Sequence, residues 1–393
     1  MGTSTCINKK RIFICTDTDY PAFDAASNYV SNMAKSLALA ELDVYLISLD
    51  RSCNNVDADA VEWNKAELFS YISIPHCIDN KFEILKSRLL CGRRIISQLK
   101  RMKCSSEDAI ITYFYKARTN RDIVKWAKKN EIKIYATVVE WFAGEIREQN
   151  NCFKQYAKCY GVIAISQNIR HYFDSLGLRT MILPPMVDIG NEAYVANKTD
   201  AGKVKFLYTG RFVGKDDMQV MLKAVALLPE SVKSNLEFHI TRYNDDALIK
   251  ESGIDETTWQ AIKEVIVTHG DVSYEKLQQL LREADYLPIA RQNNRTTISN
   301  FPSKIPEAMA LGIVPVITRV GDCPNDYLTD EMDSFLFDEC TPECCARAFE
   351  RAVNIAGNSD RSKFESLRNE AYNTAVKRFA INNFSQVLSD FVS

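Results

Sequence analysis

Short β-branched runs alternate with longer amphipathic stretches along most of the chain, and they do so in two successive series. A strand that must cross a helix before the next strand pairs most simply in parallel, so this alternation points to α/β architecture with parallel sheets. In the first series strands are expected at Arg11–Cys15, Val44–Ser48, Ala109–Tyr113, Ile134–Val139 and Gly161–Ile165. Helices are expected at Ala26–Ala40, Lys81–Lys103, Arg121–Lys129 and Asn168–Leu176. The second series opens at Lys203, with strands at Lys205–Thr209, Leu236–Thr241, Val265–Thr268, Tyr286–Ile289 and Val314–Thr318. Its helices are expected at Met218–Leu228, Ser273–Glu283 and Ile305–Leu311. Between the series, Asp188–Gly202 lacks apolar periodicity and reads as a hinge. The chain therefore reads as two Rossmann-like domains, residues 1–190 and 200–375, followed by a terminal helix over 376–393. Ligands of such sheets bind beyond the carboxyl ends of the strands, and a cleft between two halves doubles the loops on offer.

The overall balance excludes several classes. Forty-nine basic against 51 acidic residues leave a net charge of −2, without the basic excess of a nucleic-acid binder. The longest apolar runs, such as Ile313–Ile317, have the length of a strand, far below the ~20 residues that span a bilayer. The first apolar run, Ile12–Cys15, is too short for a signal peptide, which points to a cytoplasmic protein. The 12 cysteines form no C-x-x-C pair, and the tightest group, Cys340, Cys344 and Cys345, has no histidine nearby. They read as buried, reduced thiols rather than metal ligands.

The most informative stretch is Asn300–Thr318. Pro302 and Ser303 form a turn, Ser303 suits a helix N-cap, Gly312 ends the helix, and a buried strand follows. A helix N-terminus with Lys304 at its mouth suits an anion. Glu307, one turn in, could accept hydrogen bonds from two vicinal hydroxyls such as those of a ribose, or simply favour the first helical turn.

Read in order, Phe206–Val213, Lys223–Glu230, Val267–Val272, Leu281–Pro288, Glu307–Ile317 and Gly321 resemble the nucleotide-sugar half of the family 4 glycosyltransferases, over roughly 180 residues. The first half is similar more loosely, through Tyr20-Pro21, Ala25-Ala26, Tyr29–Leu37, Gly161–Gln167 and Pro185–Asp188. The resemblance implies the GT-B fold, with two Rossmann-like domains facing a cleft and the terminal helix near Phe384 crossing back to the first. It implies retaining transfer of a sugar from a nucleotide-sugar to a hydroxyl acceptor, with neither metal nor other cofactor. The acceptor would be a glycan or a lipid-linked glycan in surface polysaccharide assembly. Arg211 would clamp the donor diphosphate, helped by Lys215, and a fork of donors suits phosphate oxygens. Gly210, Ser299, Phe301, Pro302, Ser303, Lys304 and Glu307 would line the donor, with Glu307 on the ribose. Asp24, Ala25 and Trp141 would meet the acceptor, and Glu140, at the end of Ile134–Val139, would orient or deprotonate its hydroxyl.

Three positions depart from the family pattern. Ser299 replaces a glutamate eight positions before Glu307, Asp216 replaces the lysine five after Arg211, and Ala25-Ala26 replace a Gly-Gly pair. They suggest divergent specificity, with a nucleotide-sugar epimerase or a non-catalytic sugar-binding relative as the alternatives; a phosphorylase would need a pyridoxal-phosphate lysine site that is not evident. No G-x-G-x-x-G follows a strand, against a dinucleotide oxidoreductase. Of the histidines, His239 reads as core, and His269 as a group near the nucleotide base. Finally, Lys81–Lys103 holds eight basic residues and one acidic one among Leu85, Leu89, Ile95, Ile96 and Leu99. This is the composition either of a solvated helix face or of a basic amphipathic segment that touches anionic lipid on the inner face of a membrane.

Overall fold

The computed structural model describes residues 9–22, 24–50, 62–75, 81–142, 144, 146–190, 202–212, 214–357 and 361–393, with side chains left aside at 50 and 81–88. Most of the hinge expected at 188–202 lies outside them. The chain divides into two compact units, Met1–Met186 with Ile381–Ser393, and Val187–Ala380.

The first unit is built on eight strands: β1 (Arg11–Asp19), β2 (Asp43–Asp50), β3 (Asn64–Lys65), β4 (Ser70–Pro75), β5 (Ala109–Tyr113), β6 (Lys133–Val138), β7 (Gly161–Ala164) and β8 (Arg179–Ile182). They pair in the order β3-β4-β2-β1-β5-β6-β7-β8. Every pair is parallel except β3 with β4. The central strands are apolar on both faces, with all of β5 and β7 buried, because helices cover a parallel sheet from both sides. The sequence analysis did not anticipate β3, β4 or β8. In β4, Ile72 and Ile74 alternate with more exposed neighbours, the mark of a strand near a sheet edge.

The second unit carries β9 (Val204–Tyr208), β10 (Leu236–Ile240), β11 (Ile266–Thr268), β12 (Tyr286–Ile289), β13 (Val314–Thr318) and β14 (Phe335–Phe337). The order is β11-β10-β9-β12-β13-β14, and all pairs are parallel. Phe206 stands 4.9 Å from Phe349 and 5.1 Å from Tyr286 by ring centroids, all three fully buried, so aromatic packing anchors the centre of this sheet.

The strand order reverses between the neighbours β9 and β12, the place where a doubly wound sheet leaves room for a ligand. The entry and exit of this unit lie side by side, since Val187 N donates to Phe379 O at 2.9 Å. The last residues therefore rejoin the first unit from Ile381, after the helix Ser362–Phe379, rather than from 376. There Arg179 Nη1 donates to Phe391 O at 2.7 Å, and Lys10 Nζ to Val392 O at 3.0 Å. Gly161 makes room for this return: a Cβ there would lie 3.0 Å from Phe391 Cζ.

The helix Lys81–Arg101 packs on Ala117–Lys129 so closely that a Cβ on Gly92 would lie 3.1 Å from Asp122 Cβ. Its Cys91, Ile95 and Leu99, four residues apart, are buried. Of the apolar residues read as a lipid-facing component, Ile95 and Leu99 are thus spent on the core, whereas Ile96 is half-buried and Leu89 is 36% exposed. Arg93, Lys100, Arg101 and Lys103 are exposed, while Arg94 Nη1 donates to Pro75 O at 2.8 Å; the cations at 81, 86 and 88 lie outside the described side chains. The nine described cysteines are free. Burial pushes the thiols of Cys104 and Cys159 up to about 12, so they stay protonated and unreactive.

Candidate functional site

In the second unit, chemistry gathers at the carboxyl ends of β9 and β12. Tyr208 closes β9, and the chain turns at Gly210, whose φ of 84° is left-handed and suits glycine. Gly210 N donates to Thr241 Oγ1 at 3.2 Å. Arg211 follows, exposed at the strand end where a clamp for an anion belongs. The next turn carries Lys215, half-buried, followed by Asp216. Asp216 turns inward and is buried, its Oδ1 accepting from Arg291 Nε at 2.7 Å and its Oδ2 from the Tyr208 hydroxyl at 2.7 Å. Lys304 Nζ completes the group, 3.3 Å from Asp216 Oδ2, 2.9 Å from Tyr208 Oη and 4.0 Å from the Tyr208 ring centre.

Two loops are thereby stitched together. Asp217 N donates to Ala290 O at 2.7 Å, Gln292 Nε2 donates to Asp217 Oδ2 at 2.9 Å, and Asp217 also caps the helix Met218–Leu227. Burial alone would raise the Asp216 carboxyl, but Arg291 and Lys304, with the Tyr208 hydroxyl, hold it well below the usual carboxylate range. Burial lowers Lys304, an effect that Asp216 opposes.

The remaining donor candidates divide. Glu307 is exposed on the helix Lys304–Met309. Lys215 is half-buried beside the cluster and contributes to lowering Lys304. Ser299 is fully buried at the C-cap of Arg295–Ile298. Two expectations are corrected. Ser303 makes no capping bond and itself has helical backbone angles, φ −57° and ψ −24°. The Phe301 ring is core, edge-on to Tyr327 at 5.4 Å and to Phe379 at 5.8 Å, so its apolar surface serves packing rather than a ligand. Pro302 is buried beside it, and its carbonyl accepts from Ile305 N at 2.9 Å, which makes the turn before the helix.

His239 is also corrected. It is half-buried rather than core, its Nδ1 2.9 Å from His269 Nε2 and its Nε2 3.3 Å from Glu237 Oε2. The sequence analysis overlooked Tyr208, Asp216 as a pairing group, and Arg291. The nearest signal for Arg291 was its place just past a strand end.

The first unit offers a different site at the ends of β5 and β6. A cavity of about 170 Å³ is walled by Phe114, Tyr115, Phe142, Phe153 and Tyr156, with Glu140 and Glu148 at its polar margin. Gln149 Nε2 donates to Glu140 O at 3.2 Å, and Ala117 N to Glu148 Oε1 at 2.8 Å. The Trp141 ring packs 4.8 Å from Tyr172 and 5.4 Å from Phe153 by ring centres and is half-buried. Asp24 caps Ala25–Leu39, accepting from Ser27 N at 2.8 Å, and Ala25 is the exposed first residue of that helix.

Residues 203–354, which hold the whole Tyr208–Asp216–Arg291–Lys304 cluster, match the family described as glycosyl transferases group 1. No curated protein matches the chain in sequence. Among solved structures it is similar to a sucrose-phosphate synthase from Thermosynechococcus elongatus, with a TM-score of 0.73 at 15% identity over 97% of this chain and 98% of that one. It is similar to the trehalose-6-phosphate synthase OtsA, TM-score 0.69 at 11% identity over 97% and 99%. It is also similar to Anabaena HepE in complex with UDP and glucose, TM-score 0.68 at 12% identity over 97% and 98%. The fold is GT-B.

Proposed function

We propose a donor and an acceptor chemistry for this chain, which is a glycosyltransferase by its group 1 domain: it moves a sugar from a nucleoside diphosphate to an acceptor hydroxyl. The observation that carries the donor half is the meeting of the Gly210 turn with Lys304 at the carboxyl ends of β9 and β12. A Cβ on Gly210 would lie 3.6 Å from Lys304 Cε, so open backbone and a cation face one small space. HepE has been seen with UDP and with UDP-glucose, which supports a nucleotide-sugar as the ligand of this reading.

In the reaction, the acceptor oxygen bonds to the anomeric carbon while the bond from that carbon to the diphosphate oxygen breaks. The electron pair leaves with the diphosphate, and the hydroxyl proton goes to a base. Arg211 stabilises the charge that grows on the leaving group, Glu307 accepts from the ribose hydroxyls, and Glu140 takes or orients the acceptor proton. The stereochemical course is retaining and metal-free in this reading, and the acceptor is a glycan or lipid-linked glycan of a surface polysaccharide. The enzyme works in the cytoplasm, and the exposed cations of Lys81–Arg101 and Lys103 bring it to an anionic membrane face.

A thermal-shift panel of nucleotide-sugars tests the donor half. A ligand at 100 times its Kd adds about 2.7 kcal/mol, or roughly 5–10 °C for a unit of this size. A complete panel without a shift in melting temperature overturns the reading.

A further inference from the structure

Asp216 stands where the resembled glycosyltransferases carry a phosphate-directed lysine, yet the charge has not been lost from the site. Two cations, Arg291 and Lys304, converge on this one carboxylate, so the group keeps a net charge of +2 − 1 = +1. Arg291 is 5% exposed and comes from the other loop, just beyond β12. Its Nε is bound to Asp216 and its backbone N donates to Thr318 Oγ1 at 3.0 Å. The two terminal guanidinium nitrogens have no hydrogen-bond partner among the described residues. A nearly buried arginine with idle donors and an unbalanced positive charge is costly by itself. It is well used once an anion supplies paired oxygens, because a guanidinium fork matches phosphate geometry.

Resting on the donor reading above, we propose that Arg291 and Lys304 contact the diphosphate of the donor directly. Asp216 and Tyr208 act as positioning residues that hold the two cations at fixed places. The stitching of these loops through Asp217 N to Ala290 O, 2.7 Å, and Gln292 Nε2 to Asp217 Oδ2, 2.9 Å, keeps the arrangement preorganised. Lys304 remains 24% exposed at its side chain. The Gly210 backbone, left-handed at φ 84°, approaches without a side chain in the way.

Inorganic pyrophosphate is the probe, because it carries the shared chemistry of every nucleoside diphosphate without the base. Titration calorimetry should show it binding to the full chain. Arg291→Lys, which keeps the charge and loses the fork, should weaken it at least tenfold, and Lys304→Gln should weaken it about fivefold. Asp216→Asn gives the split that a purely structural salt bridge would not. The net charge of the group then rises from +1 to +2, so pyrophosphate binds as tightly as before or more tightly, while kcat for transfer falls at least tenfold because the cations lose their anchor.

Circular dichroism establishes that each variant is folded, and Lys304→Gln, at the least buried position, stands in if Arg291→Lys is not. Folded Arg291→Lys and Lys304→Gln proteins that bind pyrophosphate like wild type overturn the assignment. Asp216→Asn with kcat and Kd both unchanged overturns its positioning role. If pyrophosphate binds through these residues but no nucleotide-sugar shifts the melting temperature, the donor reading falls and the anion subsite stands.

Discussion

At the ends of β5 and β6 in the first unit, aromatic rings wall a cavity of about 170 Å³ that no lysine or arginine lines among the described residues. At the ends of β9 and β12 in the second, one buried carboxylate holds two cations against each other. Both are the ligand ends of parallel sheets, and both are assembled from loops that follow central strands. The difference lies in what each rewards. An apolar, ring-lined space with acidic margins favours a neutral group and repels an anion, whereas the cationic cluster lowers the energy of a group whose negative charge is growing. In the reaction proposed above, the two units would divide the work into the half that gains charge and the half that does not.

The largest effect should come from the charged side. Arg211→Ala should lower kcat by about 10²-fold, the usual loss when one donor to a developing oxyanion is removed, while weakening donor binding far less. Arg211→Lys should recover only part of the activity, since a point charge cannot replace a fork. Steady-state kinetics with the donor found in the thermal panel is the measurement. Full turnover in the alanine variant removes Arg211 from the reaction.

The neutral side should respond to volume rather than charge. Cys152 is buried on the wall of the aromatic cavity, and Cys152→Phe would fill part of it. A dry cavity of ~150 Å³ accepts a benzene ring, so benzyl alcohol is a fitting probe for the space. Saturation-transfer NMR should detect it on wild type and find it weakened at least tenfold in Cys152→Phe, with pyrophosphate binding unchanged. Overpacking should cost about 1–3 kcal/mol of stability. If pyrophosphate affinity moves with the benzyl alcohol signal, the two sites are coupled and the division of labour argued above is wrong.

How much of this was readable beforehand follows from where each signal lies along the chain. Ala109–Tyr113, Tyr286–Ile289 and Val314–Thr318 are strands at the positions expected, because uninterrupted apolar runs of that length in an α/β chain have few other fates. Short strands such as Arg179–Ile182 and Phe335–Phe337 carry too few residues to show a period. Lys304 could be singled out because its turn and helix are contiguous in sequence. Arg291 could not, since its partner Asp216 lies 75 positions away and the pairing exists only through the fold. Phe301 shows the opposite error: an aromatic residue beside a candidate site reads as a ligand contact until Tyr327 and Phe379 are seen to enclose it.

The smallest effect concerns the basic helix of the first unit, which stands apart from its aromatic cavity. A basic amphipathic segment binds lipid through two terms, insertion of an apolar face and attraction of its cations. Here the first term is small over the described part of the helix, because Ile95 and Leu99 are fully buried against the unit's own core and leave Leu89 as the exposed apolar residue. What dominates is electrostatic. Arg93, Lys100, Arg101 and Lys103 are exposed, and each cation near an anionic surface contributes about 1 kcal/mol at most. Since one helix cannot present all of them to a plane at once, attraction of roughly 2–3 kcal/mol is expected, weak and reversible. It should vanish as salt shortens the Debye length from about 10 Å at 0.1 M to about 3 Å at 1 M. Sedimentation with phosphatidylserine-containing vesicles should therefore recover a minor fraction of the protein at low salt and none at high salt. Replacing Arg93, Lys100 and Arg101 by Gln should abolish recovery while leaving pyrophosphate and benzyl alcohol binding intact. Recovery that survives 1 M salt would mean an apolar contact is made elsewhere, and recovery indifferent to the three substitutions would return this helix to the role of a solvated face.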